Sequence, residues 1–588
     1  MFLGLNQLPA RFAALRPRSQ FHLGELGFGS GLTTLLATRL FLRVAPADCS
    51  LHLTSVEAAP LRPDEWAALT PHRADIAALH GVLAAHAPPP VRGWHRRWLH
   101  PRARLSLYHG DARTGLTELT SMGCGVMDAW CLDGFAPERN PGMWDDAICA
   151  AIAALSAPGT TLATFSAAGE VRRALQGAGF AVERVDGAPR KWHYLRGTWQ
   201  GDQPARSVDR MRSRATGEIV RLRPPPPAHI VGAGLAGSLL AQALHLRGGE
   251  VTLEDSTPCA PGGASANPAA ALQVRLPRKL DAMGLLRLHG YAGSASWLAL
   301  QQPAGWTPGG LLHLGIGRDA GWLADFAATF PGLATALDGG AISGLAGLPG
   351  LPAGVLLPGS GRADLPVLCR GLWPEPPRPP GDRPRDARLV FASPGALPDI
   401  GLRPVPGTVT MFAGVAPALP LSGDGYVLPR DAGGLASGGT YDREPAGNGD
   451  ECEGEGGTDH DGDSRKRSAR ARDADDRNAN RVRAHGLPAP TAVLGRFQGV
   501  RWTTTDRLPL VGPTGSSGET GDDPWLCTGF ASSGLSWAWL AAEIIASAWC
   551  GEPPPLSPAL RDLLLPGRLA PGARAALPRG QGMPRRKH

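Results

Sequence analysis

The chain of 588 residues is 43% hydrophobic and 19% charged, a globular composition, and its length fits three to four average domains or two large α/β ones. A formal net charge of +7 is modest for this length, so it permits a polyanionic partner without proving one. Nine scattered cysteines form no Cys-x-x-Cys, no histidines pair at metal spacing, and neither a membrane-length apolar run nor a signal-peptide layout is present, which points to a reduced, soluble, cytoplasmic protein without a metal site.

The first nucleotide-type loop is Phe21-His-Leu-Gly-Glu25-Leu-Gly27-Phe-Gly29-Ser-Gly31, between an apolar strand and a helix that begins at Leu32. Gly27, Gly29 and Gly31 allow positive φ and close backbone approach where a ligand lies over strand ends. The acid ahead of them, Glu25, suits a ligand with an amino group better than a pyrophosphate. Buried parallel strands are predicted over 51–56, 129–132 and 160–165. Glu57 closes the first of these, placed to accept hydrogen bonds from ribose hydroxyls. Asp111 follows another apolar run, placed to bind an adenine amino group. Together they point to S-adenosylmethionine over a Rossmann-like sheet; the alternative is an unrelated tight strand–helix turn.

Residues 92–104 interleave Arg92, Arg96, Arg97, Arg102 and Arg104 with Trp94 and Trp98. Arginines neutralise phosphates and tryptophans stack on unpaired bases, so the run reads either as an RNA grip or as a solvated helix face with two half-buried tryptophans. Further on, Asp133 ends a central strand, and a loop with Phe135, Asn140 and Trp144 follows. That arrangement can hold a flat base and receive an amine's proton, unless Asp133 only caps the next helix.

Residues 205–227 turn Arg-rich and end in Pro224–Pro227, a stiff spacer between a domain over 1–204 and another over 228–575. After it, Gly232-x-Gly234-x-x-Gly237 follows a short strand and opens a helix, and Glu254 ends the next strand. This is the full dinucleotide fingerprint, with glycines under a pyrophosphate at a helix N-terminus and a carboxylate for the ribose. Strands are predicted at 389–392 and 425–428. Residues 443–485 hold acids and then bases with almost nothing apolar, and are expected to form a disordered surface insertion; 576–588 are a basic tail.

Asp133-Gly-Phe-Ala-Pro-x-x-Asn-Pro-x-Met-Trp144, with Phe2-Leu-Gly-x-Asn6 and Thr164-Phe-Ser-Ala-Ala-Gly on either side, resembles the methyltransferase half of the bifunctional tRNA 5-methylaminomethyl-2-thiouridine biosynthesis proteins. Gly262–Asn267 (with Ser265), Gly499–Gly512 and Gly529–Leu535 (with Gly534) resemble the flavin-contacting segments of the D-amino-acid oxidase and glycine oxidase superfamily, and more closely the FAD half of the same bifunctional proteins. The resemblance implies an α/β fold: a Rossmann-like class I methyltransferase domain, then an FAD-binding Rossmann domain with an α+β substrate subdomain. It implies FAD and S-adenosylmethionine as ligands and the anticodon loop of tRNA as partner, with neither DNA nor membrane; a monomer is expected. The implied chemistry is oxidation of a 5-carboxymethylaminomethyl group on the wobble uridine, release of glyoxylate, and N-methylation of the primary amine left behind. Asp133 then accepts or steers the amine's proton, with Phe135 and Trp144 around the base, and Arg501 is the candidate anchor for a substrate carboxylate.

Several positions depart from that family's pattern. Its Gly-Ser-Arg-Gly-Leu is Ala531-Ser-Ser533-Gly534-Leu535 here, and its Pro-Val-Arg-Gly-Gln is Pro404-Val-Pro406-Gly407-Thr408, each without the arginine. A basic Lys-Arg-Glu near the end of the first domain becomes Lys191-Trp192-His193, and family members carry residues ahead of the Phe2-Leu-Gly segment. Two other readings stay open: a small-molecule amine oxidase fused to an unrelated methyltransferase, and a methyltransferase whose FAD-like half only docks tRNA.

Overall fold

The computed structural model describes all residues except 70–72, 134–143, 188–192, 202–219, 258–260, 317–319, 382, 385, 397–399, 441–460, 516–522 and 570–588. The chain forms two compact units: residues 1–228, 243–251 and 543–562 make the first, and residues 229–242, 252–542 and 563–588 the second. The first unit thus takes in two segments that follow the expected spacer. Of that spacer, residues 205–219 lie outside the described residues, as do Phe135, Lys191, Trp192 and the basic tail.

The first unit is built on β1 (Gln20–Leu26), β2 (Ser50–Glu57), β3 (Gly93–His100), β4 (Ala103–His109), β5 (Met127–Leu132), β6 (Ser156–Thr164), β7 (Phe180–Asp186) and β8 (His193–Trp199). They form one sheet in the order β3-β4-β2-β1-β5-β6-β8-β7. β4, β2, β1, β5 and β6 run parallel, while β3 and β8 pair antiparallel to their neighbours. Parallel strands are covered on both faces, which is why they read as continuous apolar runs in the sequence. Alternate residues serve different cores: Ala129 and Cys131 pack in one cluster with Leu23 and Leu51, Trp130 and Leu132 in another with Leu26 and Val56. A Cβ on Gly24 would lie 2.4 Å from the Trp130 ring, so a glycine there is what lets β1 accept this indole.

Strand order reverses between β1 and β5, which opens a crevice at their C-terminal ends. Leu26 is in register with Leu132, and the Asp133 N–H donates to the Leu26 carbonyl at 2.9 Å. The glycine loop after β1 and the carboxylate after β5 therefore leave the sheet side by side.

β3 corrects both readings of the Arg/Trp run. It is a strand buried from Gly93 to Leu99, with Trp94 and Arg96 no more than 1% exposed, so it is neither an RNA grip nor a solvated helix face. Glu552 sits 2.9 Å from Arg96, 2.8 Å from Arg104 and 2.9 Å from Arg247, and Glu543 sits 2.8 Å from Arg247. The Arg104 and Arg247 guanidiniums also lie over the Trp98 ring, at 5.3 and 5.2 Å. The carboxylates that neutralise β3 come from residues 543–562, as much as 456 positions away along the chain. Without them in view, arginines alternating with tryptophans look like surface.

The second unit holds a five-stranded sheet in which β10 (Val251–Glu254) and β9 (Ala228–Val231) are followed by Arg388–Phe391, Trp525–Thr528 and Leu510–Pro513. A three-stranded sheet and an eight-stranded sheet complete it, the latter dominated by the antiparallel pair Arg403–Ala413 and Ala492–Thr503. Residues 461–484 form a helix, which corrects the expectation of disorder for that part of 443–485. Polar side chains anchor it. Asp475 Oδ1 accepts from Thr410 Oγ1 at 2.9 Å and Oδ2 from Arg496 Nε at 2.8 Å, while Asn478 Nδ2 donates to Thr410 Oγ1 at 3.0 Å. Composition counts such residues as solvated, yet satisfied hydrogen bonds let them be buried. Among the described residues no helix is long and apolar enough to cross a membrane.

Candidate functional site

In the first unit the three loop glycines all take positive φ, 88° at Gly27, 51° at Gly29 and 69° at Gly31, a conformation that excludes most side chains. A Cβ on Gly29 would meet no atom within 4 Å, so the loop presents bare backbone to the crevice. Glu25 is 3% exposed, and its Oε2 accepts from Ser55 Oγ at 2.7 Å and Thr34 Oγ1 at 2.9 Å. Burial pushes its carboxyl up to about 8, against the opposing pull of those two hydroxyls. Such a group is poised to ionise when a cation arrives.

Glu57, at the end of β2, accepts from the Gly29 N–H at 2.7 Å and from the Ala59 N–H at 2.8 Å. A carboxylate offers about four lone-pair directions, so two remain for a diol. Asp111 caps the helix Ala112–Ser121 through the Thr114 N–H at 2.8 Å and pairs with Arg92 at 3.0 Å. Asp133 is exposed at its strand end, and desolvation by its surroundings moves its pKa upward. Trp144, by contrast, is only 8% exposed and belongs to the core cluster with Trp130 and Ile148. The crevice therefore gathers Glu25, Glu57, Asp133 and the glycine loop, a donor set that fits a ligand with an ammonium group and a ribose.

In the second unit the fingerprint loop is built for close approach. A Cβ on Gly237 would lie 1.9 Å from the Gly232 carbonyl oxygen, Gly232 takes φ of 112°, and a Cβ on Gly234 would lie 2.8 Å from Ser265 Oγ. The Leu235 N–H, at the start of helix Leu235–His245, donates to Ser265 Oγ at 3.0 Å. Glu254 lies against His229 Nε2 at 3.0 Å, while the adjacent Asp255 accepts from the Ala233 N–H of the loop at 2.7 Å. Asp255 is a loop contact missed in the sequence, where its only signal was a second acid after Glu254. Asn267 Oδ1 turns its own chain by accepting from the Ala269 N–H at 3.0 Å.

Gly529 takes φ of 80°, and a Cβ on Gly534, which opens the helix Gly534–Cys550, would lie 3.7 Å from Leu235. Leu535 is buried beside it. The two glycine segments thus meet, and the bare backbone at Gly232, Gly234 and Gly237 beside a helix N-terminus fits a dinucleotide pyrophosphate. The Arg501 guanidinium donates to the carbonyls of Pro406 at 3.3 Å, of Val405 at 3.5 Å and of Thr440.

Comparison with known proteins follows the same division. Residues 75–200 match the family model of an S-adenosyl-L-methionine-dependent methyltransferase, and residues 383–548 match that of an FAD dependent oxidoreductase. Proteins named tRNA 5-methylaminomethyl-2-thiouridine biosynthesis bifunctional protein align across both parts at once. The one from Chromohalobacter salexigens is 34% identical, over 97% of this chain and 87% of its own length. Those from Pseudomonas paraeruginosa and Pseudomonas aeruginosa are 32% and 33% identical, each over 97% of this chain and 92% of their own length. With one methyltransferase domain that takes S-adenosylmethionine and one oxidoreductase domain that takes FAD, the chain belongs to the family of bifunctional tRNA 5-methylaminomethyl-2-thiouridine biosynthesis proteins.

Proposed function

We propose that this chain modifies the wobble uridine of tRNA in two steps, first shortening a 5-carboxymethylaminomethyl group to aminomethyl and then methylating the freed amine. The observation that carries this reading is the alignment, over 97% of the chain, with relatives named as bifunctional in this biosynthesis. When bound, FAD accepts a hydride from the carbon beside the secondary amine, and S-adenosylmethionine supplies the methyl group. The protein's part is binding, orientation and proton handling.

In the second unit the 232–237 loop and the helix start at Gly534 hold the dinucleotide. Loss of a hydride from carbon and of the proton on nitrogen, two electrons and two protons in all, turns the substrate amine into an imine, which water splits into a primary amine and glyoxylate. In the first unit Glu25, Glu57 and the glycine loop orient the methyl donor. Asp133 leaves the neighbouring strand in the same crevice and takes the proton that the amine loses as the new C–N bond forms. Its raised pKa makes it a stronger base than a free aspartate.

The test is to incubate the purified protein with tRNA bearing 5-carboxymethylaminomethyl uridine, then digest the tRNA and identify its nucleosides by mass spectrometry. Flavin alone should yield the aminomethyl base, and added S-adenosylmethionine the methylaminomethyl base. If neither forms from this tRNA or from aminomethyl tRNA, the assignment is overturned.

A further inference from the structure

Methylation of an amine at Asp133 restricts where the ring that carries the amine can lie. Leu132 of β5 is in register with Thr164 of β6, so Asp133 and Phe165 are the first residues beyond one matched pair of parallel strands, which run about 4.8 Å apart. Thr164 is matched in turn with Leu195 of β8, which sets Tyr194 opposite Phe165. Successive side chains of a strand point to opposite faces of the sheet. Leu23, Cys131 and Ala163 pack in the cluster that contains Phe2, while Leu132, Leu162 and Leu195 pack in the cluster on the other face. Glu25, Asp133, Phe165 and Tyr194 therefore stand in a row on one face, along the C-terminal edge of the sheet.

Phe165 exposes 37% of its surface, although its neighbour Phe2 exposes only 5%. Phe2 meets the Phe165 ring edge-to-face with centroids 5.0 Å apart, and Tyr194 meets it at 5.7 Å and 69°. The Ser166 N–H donates to Thr164 Oγ1 at 3.1 Å, which fixes the chain as it leaves β6. An aromatic ring is thus braced by two others and still open at the strand ends.

The base has one side of Asp133 available to it. On the β1 side the glycine loop and Glu25 orient the methyl donor, and Glu57, the acid for its ribose, lies one strand further out on β2. In-line transfer with the amine's proton directed to Asp133 puts the rest of the nucleotide on the β6 side. One methylene separates the amine from the uracil ring, so the ring falls within about one strand spacing of Asp133, at Phe165.

We propose that Phe165, braced by Phe2 and Tyr194, is the surface on which the uracil ring of the wobble nucleotide stacks during methylation. An unpaired base offers a flat π face, and an aromatic side chain stacks on it. This rests on the methylation proposed for the first unit.

The test is methylation of tRNA with an aminomethyl wobble base, measured at varied tRNA concentration, with tRNA abasic at the wobble position as a competitive inhibitor. Loss of one stacked base weakens binding about 5- to 150-fold, so Phe165→Ala should raise KM by a factor in that range, with a smaller change in kcat. The wild type should bind the abasic tRNA that much more weakly than the aminomethyl tRNA, and Phe165→Ala should weaken it no further, since both changes remove one interaction. Phe165→Tyr keeps the ring and should keep KM, whereas Phe165→Leu keeps apolar bulk without a π face and should fall toward the alanine variant. Affinity for S-adenosylhomocysteine should be unchanged throughout. Equal weakening of both tRNAs by Phe165→Ala would mean contact with another nucleotide or a folding defect, and overturns the assignment. So does wild-type KM in either the alanine or the leucine variant. A wild type that binds aminomethyl tRNA but never methylates it refutes the methylation itself, and the stacking surface with it.

Discussion

Glu552 is the residue whose removal should unsettle the first unit most. Glu552→Gln keeps the shape of the side chain and deletes one negative charge from a buried group in which Arg96, Arg104 and Arg247 all lie within 2.9 Å of it. Among the described residues Glu543 would remain as the sole carboxylate for three guanidiniums, and none of the three can lose its proton at any usable pH. Breaking a buried ion pair by removing one partner costs about 3–5 kcal/mol. At about 2–4 °C per kcal/mol for a unit of this size, the melting transition of the first unit should fall by about 6–20 °C. Differential scanning calorimetry reads this directly, with Asp64→Asn, which breaks the exposed Arg62–Asp64 pair, as a control that leaves the transition in place. The pH dependence carries the sign. Burial alone would raise the Glu552 pKa, but Arg104, Arg247, His52 and Arg96 outweigh it and hold the carboxyl well below the ordinary range. A depressed carboxyl contributes stability that is present above its unfolded value, near 4.5, and is lost as pH falls through the folded value. The gap between wild type and variant should therefore be full at pH 7 and narrow only in acid. A shift of less than about 2 °C at pH 7 would refute the idea that this cluster stabilises the unit.

Glu25 makes a second, independent pH prediction: with its carboxyl up to about 8, roughly nine-tenths of it is protonated at pH 7. Binding of S-adenosylhomocysteine should then release close to one proton and tighten as pH rises from about 5 toward 8, whereas Glu25→Gln should release none; calorimetry in buffers of different ionisation heat distinguishes the two. Asp133→Asn should slow methylation of aminomethyl tRNA by about 10²- to 10⁴-fold in a single-turnover assay while flavin reduction stays at the wild-type rate; equal rates of methylation would remove Asp133 from proton transfer. Gly237→Ala places a Cβ 1.9 Å from the Gly232 carbonyl oxygen, a backbone atom that cannot swing aside, so the purified variant should lack flavin absorbance yet still bind S-adenosylhomocysteine.

The parts of this molecule that were legible in its sequence are those governed by a few neighbouring residues. A parallel strand needs apolar residues on both faces, and β2, β5 and β6 announced themselves that way. A loop that needs positive φ needs glycine, and Gly27, Gly29 and Gly31 all adopt it. Once β1 and β5 are adjacent, Glu25 and Asp133 must share a crevice, so that part of the site follows from local pattern and the chirality of parallel crossovers. The acids after β10 were harder. Successive residues there diverge, Glu254 toward His229 and Asp255 toward the loop, and composition does not say which of two neighbours faces the ligand.

Charged residues resist such reading for a physical reason. A leucine in a strand pattern enters a core whichever core is formed, but an arginine is interior or surface according to whether an acceptor reaches it from elsewhere in the chain. Arg96 became interior because Glu552 arrives 456 positions later. Arg501 finds its acceptors in the same manner: pairing of Arg403–Ala413 with Ala492–Thr503 sets it opposite Val405, where the carbonyls of Val405, Pro406 and Thr440 accept from its guanidinium.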